Sequence, residues 1–200
     1  MTDSDTPEGL EEIIRMFTEL GKSEYQHVLH DMATDLTAMY KKNKNFFTGK
    51  KLVIFGNGGS AEQASHMATE LSIRYSGKRT RLSLPAIALT DVGALTAGAN
   101  DFGYEQVFSR QVEGLVNADD VVLGISTSGK SPNVLRALEA AKRQHAITMA
   151  FTGKEGMQTP VDYCFAVPAT ETSVIQTGHL YAIHWICEHI DKKLALAEKA

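Results

Sequence analysis

Five short runs of apolar residues, each bounded by turn residues, alternate with segments of helical periodicity over most of this chain. The runs are LVIF at 52–55, PAIAL at 85–89, VVLGI at 121–125, ITMAF at 147–151 and CFAV at 164–167. Continuous apolar runs of this length, separated by helices, are typical of parallel strands that are buried on both faces of a sheet. The sequence therefore predicts an α/β fold, a three-layer αβα sandwich with a five-stranded parallel sheet.

Helical periodicity predicts two helices before the first strand, at 9–20 and 23–44, and further helical segments at 60–75, 93–98, 104–112, 132–144 and 174–196. No internal repeat, low-complexity segment or linker divides the 200 residues. We therefore expect a single domain over 1–200, with 1–48 as an N-terminal helical extension that packs on that domain or in an oligomer.

Composition and charge argue against several classes of protein. No stretch approaches the roughly 18 to 20 consecutive apolar residues of a membrane-spanning helix, and the first residues, MTDSDTPEG, carry no export signal. The two cysteines, Cys164 and Cys187, lack metal-binding or redox spacing, which favours a cytoplasmic location. A net charge of −4 argues against a nucleic-acid partner. One local basic cluster is predicted to be a solvated loop; its members are Arg74, Lys78, Arg79 and Arg81.

The loop after the first predicted strand contains GNGGSA at 56–61, which fits the dinucleotide pattern G-x-G-x-x-A. A dinucleotide site also needs an acid about 20 positions on, whereas the first acid after Glu70 is Asp91. Ser60 and Gln63 form an S-x-x-Q capping box, which predicts a helix beginning at Ala61 with free N–H groups that attract an anion. A tight turn that needs glycines for backbone reasons alone remains the alternative.

The loop after the third predicted strand, GISTSGKS at 124–131, fits the phosphate-binding pattern of nucleotide triphosphatases, with Asp91 as a candidate magnesium ligand. Pro132 argues against that assignment. It fits the first position of a helix whose N-cap is Ser131, which leaves Lys130 in the loop. A phosphate monoester held by neutral donors suits the loop better, and a polar loop without a ligand remains possible. The candidate hydroxyl donors are Ser126, Thr127, Ser128 and Ser131.

Five separated motifs, in this order, resemble those of the sugar isomerase (SIS) domain family and of its bacterial phosphoheptose isomerase branch. They are GNGGS at 56–60, HMATE at 66–70, NDFG at 100–103, GISTSGKS at 124–131, and IQ at 175–176 followed by His184. The resemblance covers about residues 20–190. It implies an isomerase that converts sedoheptulose 7-phosphate to D-glycero-D-manno-heptose 7-phosphate through an enediol, the first step of ADP-heptose and lipopolysaccharide-core synthesis. It further implies a homotetramer with shared active sites and one zinc ion per subunit.

His66 and Glu70 lie four residues apart, so they share one face of the predicted helix. Taken alone, this spacing favours an ordinary exposed pair on a helix. The resemblance implies that Glu70 and His184 are the catalytic acid/base pair. Gln176 and His184 are eight residues apart, about 12 Å along a helix, so if both bind one ion, we expect Gln176 before the regular helix or in its frayed first turn. The zinc ligands implied by the resemblance are His66, Glu70, Gln176 and His184.

Spacing alone favours Glu188, four residues after His184, as the partner of that histidine. Two further histidines of the same predicted helix are assigned no part in the reaction. His179 is expected to be structural or to lie at a subunit contact, and His189 is expected to face solvent.

The resemblance also implies a set of substrate contacts. One position departs from the family pattern, because Ser173 stands where an acid often precedes the IQ motif, and this bears on how the sugar hydroxyls are held. The implied contacts are Asn57, Gly58, Gly59, Ser60, Glu70, Asn100, Asp101, Ser126, Thr127, Ser128, Ser131 and Gln176.

Two other classes of function compete with the isomerase. One is a non-catalytic SIS protein that binds a replication initiator and regulates its assembly, a branch that lacks the acid and the histidine of the catalytic set. Glu70 and His184 are both present here, which favours the enzyme. The other is a nucleotide triphosphatase, which rests only on the string GISTSGKS.

Overall fold

A computed structural model describes residues 8–42 and 49–196 of this chain. Within them, five parallel strands form one sheet with helices on both faces, which confirms the predicted fold class. The strands are β1 (Leu52–Gly56), β2 (Ala86–Ala88), β3 (Val121–Ser126), β4 (Ile147–Gly153) and β5 (Tyr163–Val167). The helices are α1 (Glu8–Leu20), α2 (Ser23–Lys42), α3 (Gly59–Ser72), α4 (Val92–Phe102), α5 (Val107–Leu115), α6 (Pro132–Arg143) and α7 (Thr172–Leu194).

The strands are ordered β2-β1-β3-β4-β5, so the chain reverses its direction of winding between β1 and β3. These two strands pair in parallel from Leu52 with Val121 to Gly56 with Ile125. Ligands of open α/β sheets bind at the carboxyl ends of the strands next to such a reversal. The loops that follow β1 and β3 meet at this place.

Alternate residues of β1 point into two separate apolar cores, as the period of a strand requires. Leu52 and Ile54 belong to the core beneath α1, α2, α3 and α7, whereas Val53 and Phe55 belong to the core beneath α5 and α6. All four side chains are fully buried. The central strands therefore fix the positions of both helix layers relative to the carboxyl ends of β1 and β3.

The first two helices pack against α7. Met16 and Leu20 of α1 are buried at 1% exposure, and the ring of Phe17 makes an edge contact with Tyr181 of α7 at 5.6 Å between centroids. Leu10 and Ile14, on the other side of α1, are exposed. The predicted end of α2 at residue 44 lies outside the described residues.

The predicted break between 93–98 and 104–112 is displaced. The structure has one helix from Val92 to Phe102, then a single 3-10 turn, Tyr104–Gln106, and then α5. Asp91 caps α4 by accepting a hydrogen bond from the backbone N–H of Ala94 at 2.8 Å, and Gly103 ends it with a φ of +85°. None of the helices within the described residues is long and apolar enough to cross a membrane.

Candidate active site

The loop after β1 turns directly into α3. The predicted capping box is wrong: α3 begins at Gly59 with Gly58 as its N-cap, and no side chain caps it. Gly58 makes the turn with a φ of +54°. Ser60 therefore lies inside the helix, 4% exposed, and Gln63 donates instead to the carbonyl of Gln176 at 2.7 Å.

The side chain of Gln176 on α7 lies close to Gly59. A Cβ at this position would lie 2.6 Å from Nε2 of Gln176, too close for any side chain without movement. Gln176 therefore lies over the start of α3 and connects α7 to residues 57–59, called the glycine loop below.

Three hydroxyls converge in the loop after β3, called the hydroxyl loop below (residues 126–131). The Oγ atom of Ser126 lies 3.0 Å from Oγ of Ser131 and 3.4 Å from Oγ of Ser128. As predicted, Ser131 is the N-cap of α6 and Pro132 is its first residue, with Lys130 exposed in the loop. The Ser131 hydroxyl caps nothing. The loop thus collects neutral donors beside a helix N-terminus, which suits a phosphate.

The hydroxyl loop packs closely against the backbone at Gly156. Gly129 has a φ of +66°, and a Cβ there would lie 1.9 Å from the carbonyl oxygen of Gly156. A cavity of about 180 Å³ opens beside the loop, with Thr127, Lys130 and Lys154 in its wall. Asp91, the candidate magnesium ligand of a triphosphatase, caps α4 instead.

Three proposed acid/base and metal residues meet where α3 runs beside α7. The Nε2 atoms of His66 and His184 lie 2.9 Å apart, so one ring donates a hydrogen bond to the other. Oε1 of Glu70 lies 3.7 Å from Nε2 of His66. The Glu70 side chain is 20% exposed and that of His66 40%, so both remain accessible to a ligand. His66 and His184, which lie 118 residues apart in the sequence, thus belong to one potential proton-transfer cluster.

Gln176 lies in neither of the places expected if it shared an ion with His184. It is the fifth residue of α7, past the first turn of a regular helix that begins at Thr172. Gln176 and His184 are therefore separated by about 12 Å along one helix. Within one chain, the structure groups Gln176 with Gly59 and not with the two histidines.

Other assigned residues also have defined places. Glu188, the alternative partner of His184 by spacing, pairs with Lys192 at 2.8 Å, and this hydrogen bond lowers its pKa. Asn100 and Asp101 lie exposed in the last turn of α4, where Nδ2 of Asn100 donates to Oδ1 of Asp101 at 2.8 Å.

The two remaining histidines of α7 differ in their surroundings. His179 is completely buried, lies 3.1 Å from the carbonyl of Thr152, and is structural as predicted. Burial lowers its pKa to about 4. His189 is half-buried and lines an open cavity; its ring stacks on Trp185 at 5.6 Å and meets His30 edge-on at 5.3 Å.

No group of three or more His, Cys, Asp and Glu is arranged as a ready metal site in the part of the chain that the structure describes. The donor chemistry nevertheless fits zinc, which prefers imidazole nitrogen and carboxylate oxygen. The fitting atoms are the facing Nε2 atoms of His66 and His184 and the nearby Glu70 carboxylate.

Arg81 has a role that the sequence did not reveal. The basic cluster was predicted to be a solvated loop, but the Arg81 side chain is only 4% exposed. It donates to Oδ1 of Asp191 on α7 at 2.7 Å and to the carbonyls of Glu70 and Leu71 at 2.7 and 2.8 Å. Arg81 therefore ties the last turn of α3, at Glu70 itself, to α7.

Comparisons with known proteins find relatives by sequence and by fold. Residues 22–153 match the family model described as SIS domain. A phosphoheptose isomerase of Pelobacter propionicus is 43% identical over 183 residues, 90% of this chain and 93% of that protein. Phosphoheptose isomerase 1 of Campylobacter jejuni is 51% identical over 147 residues, 72% of this chain and 78% of that protein. The solved structure of a phosphoheptose isomerase from Francisella tularensis superposes with a TM-score of 0.83 at 31% identity, covering 92% of this chain and 94% of that chain.

The Arg81–Asp191 pair yields a prediction about stability. Arg81→Met leaves a buried carboxylate without a partner and should lower the free energy of unfolding by about 3 to 5 kcal/mol. The double variant Arg81→Met/Asp191→Leu removes both charges and should recover most of that loss. Urea unfolding measures both variants, with Lys78→Met, on the exposed part of the same loop, as the control. Equal stabilities for Arg81→Met and Lys78→Met would contradict the proposed clamp.

Proposed function

This chain belongs to the SIS domain family, and we propose that it acts as a phosphoheptose isomerase that converts sedoheptulose 7-phosphate to D-glycero-D-manno-heptose 7-phosphate. The observation that carries the proposal is the contact between His66 and His184, beside Glu70, on two helices that also flank the glycine loop. An aldose–ketose isomerisation needs a base, a group that transfers protons to and from the sugar oxygens, and a phosphate anchor. All three are present in candidate form.

The reaction moves one carbon-bound proton and one oxygen-bound proton. In the proposed direction, Glu70 removes a proton from C1 of the ketose, and the electron pair forms the C1–C2 double bond of an enediol. His184 protonates O2 as this happens and takes the proton from O1 as the aldehyde forms. Glu70 then returns its proton to C2. Without a metal ion, His66 orients His184 through the hydrogen bond between their Nε2 atoms, and a bound ion would replace that bond.

The hydroxyl loop is the proposed phosphate anchor. Ser126, Ser128 and Ser131 provide neutral donors at the N-terminus of α6, where partial positive charge favours an anion. Thr127 belongs to the same loop. The glycine loop at 57–59 lies next to it, at the reversal of the sheet, and supplies the other proposed contacts at this end of the sugar phosphate.

Zinc is the proposed cofactor, held by His66, His184 and Glu70. Bound there, it would polarise the sugar oxygens. Gln176 was assigned as a fourth ligand, and its place beside Gly59 means that it would join such a site only through a rearrangement or from a second chain.

The proposed assembly is a homotetramer with active sites shared between chains. Glu70 lies eleven residues along α3 from Gly59, which is about 16 Å of helix. The base and the phosphate-binding loops are therefore well separated within one chain. Leu10 and Ile14 of α1 add an exposed apolar face for association. We also propose that 1–200 is one SIS domain, with 1–48 as its N-terminal extension, and that it acts in the cytoplasm, where its free cysteines suit a reducing environment.

Neither alternative function gains support from the site. A non-catalytic SIS protein would not need Glu70 and His184 brought to one place. A triphosphatase would need Lys130 inside the helix and Asp91 free to bind magnesium, whereas Lys130 precedes α6 and Asp91 caps α4.

Catalysis is predicted to depend on Glu70 and His184. Glu70→Gln and His184→Ala should each lower kcat at least about a hundredfold, because each removes a proton-transfer group, while the thermal unfolding temperature stays near that of the wild type. A coupled assay on sedoheptulose 7-phosphate measures turnover. Glu188→Gln is the matched control, since it changes an acid of α7 that pairs with Lys192. Near wild-type turnover in either variant would refute the assigned roles.

Zinc binding is predicted to depend on the histidine pair. The purified wild-type protein should retain about one zinc ion per chain after dialysis, measured by elemental analysis, and His66→Ala should lose it because one nitrogen donor is removed. Treatment with a chelator should lower turnover, and added zinc should restore it. Equal zinc content in the two proteins would show that the metal binds elsewhere, and a wild type without zinc but with full turnover would refute the cofactor.

Shared active sites are predicted to permit complementation between two inactive variants. Glu70→Gln removes the base, and Ser131→Asp adds a charge that repels phosphate. Random mixing of the two chains should restore about a quarter of wild-type turnover per site if each site joins two chains. Sedimentation of the wild type checks for the tetramer. No recovery in mixed oligomers, or a monomer at micromolar concentration, would refute shared sites.

A further inference from the structure

Asn133, the second residue of α6, contacts the candidate site although no motif pointed to it. Its side chain is only 2% exposed and lies two residues after Ser131 of the hydroxyl loop. It forms a reciprocal pair with the side chain of Asn57, the first residue of the glycine loop. Nδ2 of Asn133 donates to Oδ1 of Asn57 at 2.8 Å, and Nδ2 of Asn57 donates to Oδ1 of Asn133 at 3.0 Å.

The backbone fixes which way both amides face. The backbone N–H of Val134 lies 3.0 Å from Oδ1 of Asn133, and because an N–H group only donates, the atom that faces it must be the oxygen. Nδ2 of Asn133 must then face Asn57, and it requires an oxygen there. The orientation of the Asn57 amide thus follows from the backbone of α6 through a buried side chain.

Tyr104 completes the arrangement. Its hydroxyl donates to Oδ1 of Asn57 at 2.9 Å. Both lone pairs of that oxygen are therefore in use, and one of the two Nδ2 hydrogens is given to Asn133. Asn57 is half-buried, so its remaining N–H is still accessible. The side chain of Asn57 can therefore form a further hydrogen bond only as a donor.

We propose that Asn133 and Tyr104 are positioning residues that hold Asn57 as a hydrogen-bond donor to a phosphoryl oxygen of the sugar phosphate; the inference rests on the proposed function. Phosphoryl oxygens only accept hydrogen bonds, so a freely rotating amide would present a repelling oxygen in some orientations. Asn57 and Asn133 both adjoin the hydroxyl loop, which places this donor at the phosphate end of the site.

The expected effect is on substrate binding and not on proton transfer. Asn133→Leu keeps the approximate side-chain volume but removes both hydrogen bonds to Asn57. This variant should raise KM about tenfold with kcat within about twofold. Tyr104→Phe removes one donor from an exposed side chain and should raise KM about threefold. Tyr25→Phe, which removes a hydroxyl from α2, is the matched control and should leave KM unchanged.

A double-mutant cycle separates positioning from general loosening of the fold. If Asn133 and Tyr104 act through Asn57, then Asn133→Leu and Tyr104→Phe should add nothing to the raised KM of Asn57→Ala. A structural role would instead give additive losses in that background. Additive effects, or a wild-type KM in either single variant, would overturn the proposal. Should Asn133→Leu fail to fold, Tyr104→Phe decides the outcome by itself, since Tyr104 is exposed.

Calorimetric titration with inorganic phosphate keeps this proposal distinct from the proposed function. If the wild type is inactive on sedoheptulose 7-phosphate, the isomerase assignment fails, but Tyr104→Phe should still weaken phosphate binding about threefold. If the wild type is active and Tyr104→Phe binds phosphate and substrate as the wild type does, the isomerase assignment stands and the positioning role is refuted.

Discussion

The parallel pairing of β1 with β3 is the constraint on which the rest of the molecule depends. Because the chain winds away from this pair in both directions, the loops after the two strands meet at one edge with no helix crossing between them. The glycine loop and the hydroxyl loop are brought together in this way, and Asn57 and Asn133 join them directly. The proposed phosphate anchor is therefore a consequence of strand order.

The packing of α3 against α7 supplies the second half of the chemistry. Gln63 and Gly59 contact Gln176 at one end of the pair, His66 contacts His184 in the middle, and Arg81 ties the far end to Asp191. In the middle of this interface the side chains of His66 and Glu70 are 40% and 20% exposed, so a ligand can reach them. Polar contacts thus join the two helices at both ends and in the middle.

Sequence patterns predicted the layers well and the details of side-chain placement less well. The five strands and the Ser131–Pro132 helix start were predictable because buried strands and proline carry strong local signals. The position of Ser60 was not, since Gly58 ends the turn with a positive φ that the capping pattern does not encode. Arg81 and Asn133 were missed because their partners lie 110 and 76 residues away. Contacts of that range leave no periodic trace in one sequence.

The close approach of Gln176 to Gly59 has a consequence for how such a chain changes over evolution. A side chain at 59 is tolerated only if the residue at 176 becomes smaller or moves, because the two would otherwise overlap. Variation at 59 is therefore expected to be accompanied by a shift or a substitution of the side chain at 176, more than a hundred residues away. A record of paired substitutions at these two positions would report the spacing between α3 and α7 more directly than either segment does alone.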